Sequence, residues 1–221
     1  MNYKILEGFF MSDEVKKLVD GFHKFQNKYF VKDTDLYENL NTGGQAPKTL
    51  MIGCSDSRVD PALLTQAKPG DIFVIRNVAN LVPPYEVGGG FHGVSSAVEF
   101  AVKNLKVENI IVLGHEQCGG INALLTGTHD NTKPSFISSW VRIAAEAKIE
   151  VLKEMPNASL KDQLNSCAKK AILISIENLM SFPFIQERMK SHELKIYGWF
   201  FDLEAGKLLE FNYEQRKFVE I

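Results

Sequence analysis

Two apolar runs in this sequence end in residues able to hold a soft metal. TLMIG (49–53) leads into Cys54-Ser55-Asp56-Ser57-Arg58, and NIIVLG (109–114) leads into His115-Glu116-Gln117-Cys118-Gly119-Gly120. Only two residues separate His115 from Cys118, so a turn entering a helix can aim both at one point. Two thiolates and one imidazole suit Zn2+ in softness and in tetrahedral geometry. Three protein donors leave the fourth position open, which distinguishes catalytic from structural zinc, and water bound there ionises near about pH 7. Spacing alone admits other readings. Cys54 and Cys118 could be buried small hydrophobes with His115 capping a helix, or Cys and His could form a nucleophilic pair. A phosphatase-like pair is disfavoured, because Arg58 follows Cys54 by only four residues and the loop lacks glycines to cradle a phosphate.

The elements around these segments say how the donors could meet. TLMIG, DIFVIR (71–76) and NIIVLG are short, β-branched and bounded by Gly or polar residues, which predicts buried strands. Between the last two, Val94, Ala97, Val98, Ala101, Val102 and Leu105 share one face of a helix over 93–105. Strand, helix, strand is the order of a parallel α/β sheet, whose functional groups gather beyond the carboxyl ends of the strands. Helical patterns return at 136–155, at 159–180 and after Pro183, and LKIYGWFF (194–201) with KLLEFN (207–212) predicts a late hairpin. Upstream, Val15, Leu18, Val19, Phe22, Phe25 and Tyr29 predict an amphipathic helix over 12–31 with Ser12 as N-cap. The fold class expected is α/β: a mainly parallel sheet flanked by helices, in one domain. Residues 1–44 form a helical arm and connection, and 45–221 form the core. The arm is expected to pack on another subunit.

Composition narrows the partners. With 221 residues, 45% hydrophobic and 24% charged, the chain suits an ordinary globular domain with a sizeable core. A formal charge of −2 and no Lys/Arg run argue against nucleic acid or an anionic membrane. Neither a secretory h-region nor a membrane-length apolar run is read, so the expected location is cytoplasmic. Three cysteines cannot all pair with one another, and Cys167, among Ala168, Ala171 and Ile172, is expected in the core. His23, His92, His129 and His192 lack ligand-spaced partners and are expected to be structural or exposed, with His23, His92 and His129 the nominal proton shuttles. Gly88-Gly89-Gly90 lacks dinucleotide-loop spacing. Trp199, Phe200 and Phe201 are expected to pack the late strand.

At CSDSR (54–58), RNVANLVPP (76–84), the EFAV…LKV helix (99–107) and GHEQCGG (114–120), the chain resembles the β-class carbonic anhydrases. That resemblance implies a carbonate dehydratase, a lyase that uses zinc-bound hydroxide to convert carbon dioxide to bicarbonate. Hydrolysis of CS2 or COS on the same scaffold and a non-catalytic zinc protein are the alternatives. It implies Cys54, His115 and Cys118 as ligands of one Zn2+ per chain, and Asp56 with Arg58 as a dyad that orients the hydroxide. It implies substrate contacts from Gln45 (reaching in from a neighbouring subunit), Phe73, Val78, Phe100 and the Gly119 N–H. It also implies a homodimer or a larger assembly built from dimers. Members that close their site with the aspartate use a tryptophan and a tyrosine where this chain has Met51 and Phe201, beside an arginine matched by Arg76. An open site is therefore expected.

Overall fold

Two of the three strands expected to be buried lie side by side inside a six-stranded sheet, and the third (71–76) is its edge strand with only Ile75 buried, in a computed structural model that describes residues 11–88, 90–127 and 135–221. Strands β1 (Thr49–Cys54), β2 (Ile72–Asn77), β3 (Asn109–His115), β4 (Lys195–Asp202), β5 (Lys207–Asn212) and β6 (Lys217–Glu220) lie in the order β2-β1-β3-β4-β5-β6. The first four are parallel, and β5 and β6 are antiparallel additions. The late hairpin is therefore continuous with the main sheet, and β6 extends it by a strand not expected from the sequence.

Both faces of β1 and β3 are covered, which is why their sequences read as unbroken apolar runs rather than alternating ones. Leu50, Ile52, Ile110 and Val112 join a core that includes Ile172 and Ile176 of α8 (Leu160–Met180). Met51, Ile111 and Leu113 pack on the other side with Tyr197, Trp199 and Phe201. Burying a side chain of this size contributes about 1.5–3 kcal/mol each, so the register is strongly specified.

The helices are more broken than their periodicity predicts. The 93–105 helix is α4 (Gly93–Glu99) followed by a wide π-type turn at Phe100–Asn104. The 136–155 segment divides into α6 (Phe136–Val141) and α7 (Ala145–Glu154) around a tight turn at Arg142–Ala144. Two short helices were not expected, α2 (Asp35–Gly43) and α3 (Pro61–Thr65). Alongside these lie α5 (Gly119–Thr126) and α9 (Pro183–Lys190). Among the described residues no helix is long and apolar enough to cross a membrane.

The chain divides into two units, Met1–Gln45 and Ala46–Ile221. In the first, α1 (Asp13–Asn27) starts where Ser12 accepts the Val15 N–H at 3.3 Å, and it passes into a π-type turn at Lys28–Lys32. Phe25 lies edge-on to Tyr37 with centroids 5.5 Å apart, and Phe30 meets the same ring at 4.8 Å. None of α1 is buried: Val15, Leu18 and Phe22 are exposed along one stripe.

Candidate metal centre

Sheet order brings the donors together. Strands β1 and β3 are neighbours with Gly53 opposite Leu113, so Cys54 and His115 emerge side by side from their carboxyl ends. Gln117 then takes a left-handed conformation (φ 55°), and the chain turns into α5 with Cys118 at its N-cap. Two nearby glycines are required by close packing. A Cβ on Gly114 would fall 2.7 Å from Ile172 Cδ1, and one on Gly120 would fall 2.6 Å from Val78 Cγ1.

The donor atoms of Cys54, His115 and Cys118 lie within 4.8 Å of one another, and all three residues are buried. The two sulfurs are 3.9 Å apart, close to the edge of about 3.8 Å expected for two thiolates on one tetrahedral zinc. His115 Nδ1 lies 2.7 Å from the Glu116 carbonyl, and that carbonyl can only accept. The proton is thereby assigned to Nδ1, and Nε2 keeps its lone pair. That Nε2 is buried with no hydrogen-bond partner. A buried orphan nitrogen facing two thiols fits a zinc ligand set, and it is costly for any other purpose. Hydrogen bonding between the sulfurs lowers the Cys54 thiol pKa and raises that of Cys118, as one proton is shared.

A carboxylate stands beside the three donors. Asp56 Oδ2 is 3.9 Å from His115 Nε2, and Arg58 grips the carboxylate in bidentate fashion, Nε to Oδ1 at 2.9 Å and Nη2 to Oδ2 at 2.8 Å. The Arg58 N–H adds a third bond at 3.0 Å. These bonds hold the Asp56 carboxyl well below the usual carboxylate range. Sequence reasoning gave Arg76 no part in this loop, yet it donates to Cys54 O at 3.0 Å, to Asp56 O at 2.7 Å and to Asp60 Oδ2 at 2.8 Å. Asp60 in turn caps α3 through the Ala62 and Leu63 N–H groups. The loop between the first donor and the carboxylate is thus anchored from β2.

The family model for carbonic anhydrase matches residues 49–208. The chain belongs to the β-class carbonic anhydrases. That family consists of zinc enzymes, and the Cys54, His115 and Cys118 group fits its metal. β-Carbonic anhydrase 3 of Arabidopsis thaliana is 38% identical over 197 residues, covering 88% of this chain and 75% of that protein. The solved β-carbonic anhydrase CcaA superposes with a TM-score of 0.88 at 34% identity, covering 95% of this chain and 93% of that one. A tetrameric β-carbonic anhydrase from the ascomycete Sordaria macrospora gives 0.72 at 30% identity, covering 89% and 93%.

Against this β-carbonic anhydrase framework, the other expected site residues separate into two groups. Val78 and Gly119 lie at the centre: Gly119 is the first residue of α5, and Val78 packs on Gly120 while remaining exposed on its other side. Phe73 and Phe100 pair with each other, centroids 5.9 Å apart. Phe73 precedes Asn77, the residue opposite Cys54, by four positions. That is about 13 Å along a strand, so this pair does not line its own chain's centre. Gln45 is exposed at the end of the first unit. Of the histidines, His92 Nε2 lies 3.2 Å from Gly88 O, His23 and His192 are exposed, and His129 falls outside the described residues, as does Gly89. Cys167 is fully buried, and burial pushes its thiol up to about 12.

Proposed function

We propose that the chain catalyses the reversible hydration of carbon dioxide to bicarbonate and a proton at a zinc ion held by Cys54, His115 and Cys118. The observation that carries this reading is the Asp56 carboxylate, pinned by Arg58 and aimed at a three-donor centre. A purely structural zinc takes four protein ligands and has no use for an oriented acceptor. Bound zinc supplies hydroxide near neutral pH by acidifying water.

The residues do the rest. Arg58 keeps Asp56 ionised, so its Oδ2 only accepts. With the metal bound, Oδ2 would accept the hydrogen bond of the hydroxyl supplied there and so set its orientation toward the carbon of carbon dioxide. The Gly119 N–H, free of an intrahelical partner at the start of α5, binds an oxygen of the product anion. Val78 offers an apolar wall suited to a substrate without a dipole. Gln45, Phe73 and Phe100 serve the site across a homodimer, since Phe100 is exposed, Phe73 is half-buried, and the pair is remote from its own centre.

Two expected results follow. Deleting residues 1–35 should expose the surface that the stripe of Val15, Leu18 and Phe22 covers on a partner, and cause dissociation or aggregation in size-exclusion chromatography. A truncated protein that stays dimeric and fully active contradicts this. The second concerns regulation. Arg76 is committed to two carbonyls and Asp60, and the Met51 side chain is buried in the core. On this reading the site stays open and bicarbonate acts only as product. Stopped-flow hydration, run with carbon dioxide and with COS as rival substrate, should show turnover of carbon dioxide rising with pH along a one-proton curve. A steep cooperative profile with noncompetitive bicarbonate inhibition would refute the open site, and a preference for COS would refute the substrate.

A further inference from the structure

Glu116, beside a metal donor, carries a buried carboxylate that the catalytic scheme leaves unused. The residue is 2% exposed. Its N–H donates to Phe201 O at 3.0 Å, extending the β3–β4 ladder, and its carbonyl receives His115 Nδ1–H. Its carboxylate accepts the Asn165 amide of α8 at 3.0 Å through Oε1 and the Glu204 N–H of the β4–β5 turn at 3.2 Å through Oε2. Lys161 of α8 stands 3.7 Å from Oε1 and is itself paired with Glu204. Strand, helix and turn thus meet on one side chain.

A buried carboxylate is expensive unless its partners hold it, and a residue with no task beyond continuing a turn has no need of one. The task is set by its neighbour. Gln117 is left-handed at φ 55°, a conformation non-glycine residues adopt at a cost. Relaxing that turn would rotate the peptide between Glu116 and Gln117 and carry the Glu116 carbonyl away from His115. We propose that Glu116 is a positioning residue for the metal. Its carboxylate bolts this peptide to α8 and to the β4–β5 turn, so that His115 Nδ1 stays bonded and Nε2 stays turned toward Cys54 and Cys118. The proposal rests on the reading of those three residues as the ligand set.

The role is one of position rather than charge, and a glutamine side chain can fill it. In Glu116→Gln the amide oxygen can still accept the Glu204 N–H, while the amide nitrogen can donate to Asn165 Oδ1 once the Asn165 amide, whose Nδ2 now faces Oε1, turns over.

The test measures zinc affinity of the full chain by chelator competition, together with the visible spectrum of the Co2+-substituted protein, whose bands report donor geometry. For Glu116→Ala the affinity should fall about 10–100-fold with altered cobalt bands, while Glu116→Gln should stay within about threefold of the parent and keep its spectrum. Asn165→Leu, which removes one anchor from the far side, should shift both readouts in the same direction by less. Unchanged affinity and spectrum in Glu116→Ala overturns the proposal, as does a Glu116→Gln loss equal to that of alanine. Should Glu116→Ala fail to fold, parent-like values in Asn165→Leu overturn it. A parent protein that binds no zinc would instead overturn the ligand set itself, which separates the two failures.

Discussion

Replacing Cys118 with alanine should strip most of the zinc and abolish turnover, and Cys54→Ala and His115→Ala should do the same. The purified parent should carry one zinc per chain. Losing a partner in the outer shell of a metal site typically costs about 10–100-fold in affinity, so losing one of only three protein ligands should cost more than that. All three donors are buried and converge within 4.8 Å, and no further His, Cys, Asp or Glu among the described residues joins the group. Asp56 is the nearest substitute, but its carboxylate is held by three hydrogen bonds from Arg58. Elemental analysis after gel filtration reads the result. Full zinc occupancy in Cys118→Ala would sink the ligand assignment.

Asp56→Ala and Arg58→Ala should keep their zinc and lose turnover. A hydrogen bond to a charged group contributes about 1.5–3 kcal/mol, which is about 10- to 100-fold in rate if it acts only in the transition state. Arg58→Ala removes the bidentate grip and the bond to the Gln117 carbonyl at 3.3 Å, so Asp56 loses both its ionisation bias and its aim. Arg58→Lys should fall between parent and alanine, because an ammonium cannot reproduce the fork. Unimpaired hydration by both alanine variants at mildly alkaline pH would show that the pair has no catalytic role.

Cys54 and His115 were legible because each ends a strand, Cys118 because only two residues separate it from His115, and all three because β1 and β3 are buried on both faces and read as unbroken apolar runs. The elements that escaped are the short ones. Helix α3 spans five residues, too few for a period, and its signal was the Asp60 cap ahead of Pro61. Strand β6 has four residues and follows a turn, with no room for alternation to declare itself. Arg76 and Glu116 escaped for another reason. Their partners lie in distant parts of the chain, and only the register that sets Gly53 opposite Arg76 and His115 opposite Phe201 reveals them. The remoteness of Phe73 from its own metal centre likewise depends on which end of β2 it occupies.

Zinc-dependent hydration at this centre is read directly by stopped-flow with carbon dioxide on three preparations of the same concentration: zinc-loaded parent, chelator-stripped parent and Cys118→Ala. Fast hydration is expected of the first, near-background rates of the other two, and recovery of the stripped parent when zinc is restored. Background rates from the zinc-loaded parent, or undiminished hydration by Cys118→Ala, would contradict it.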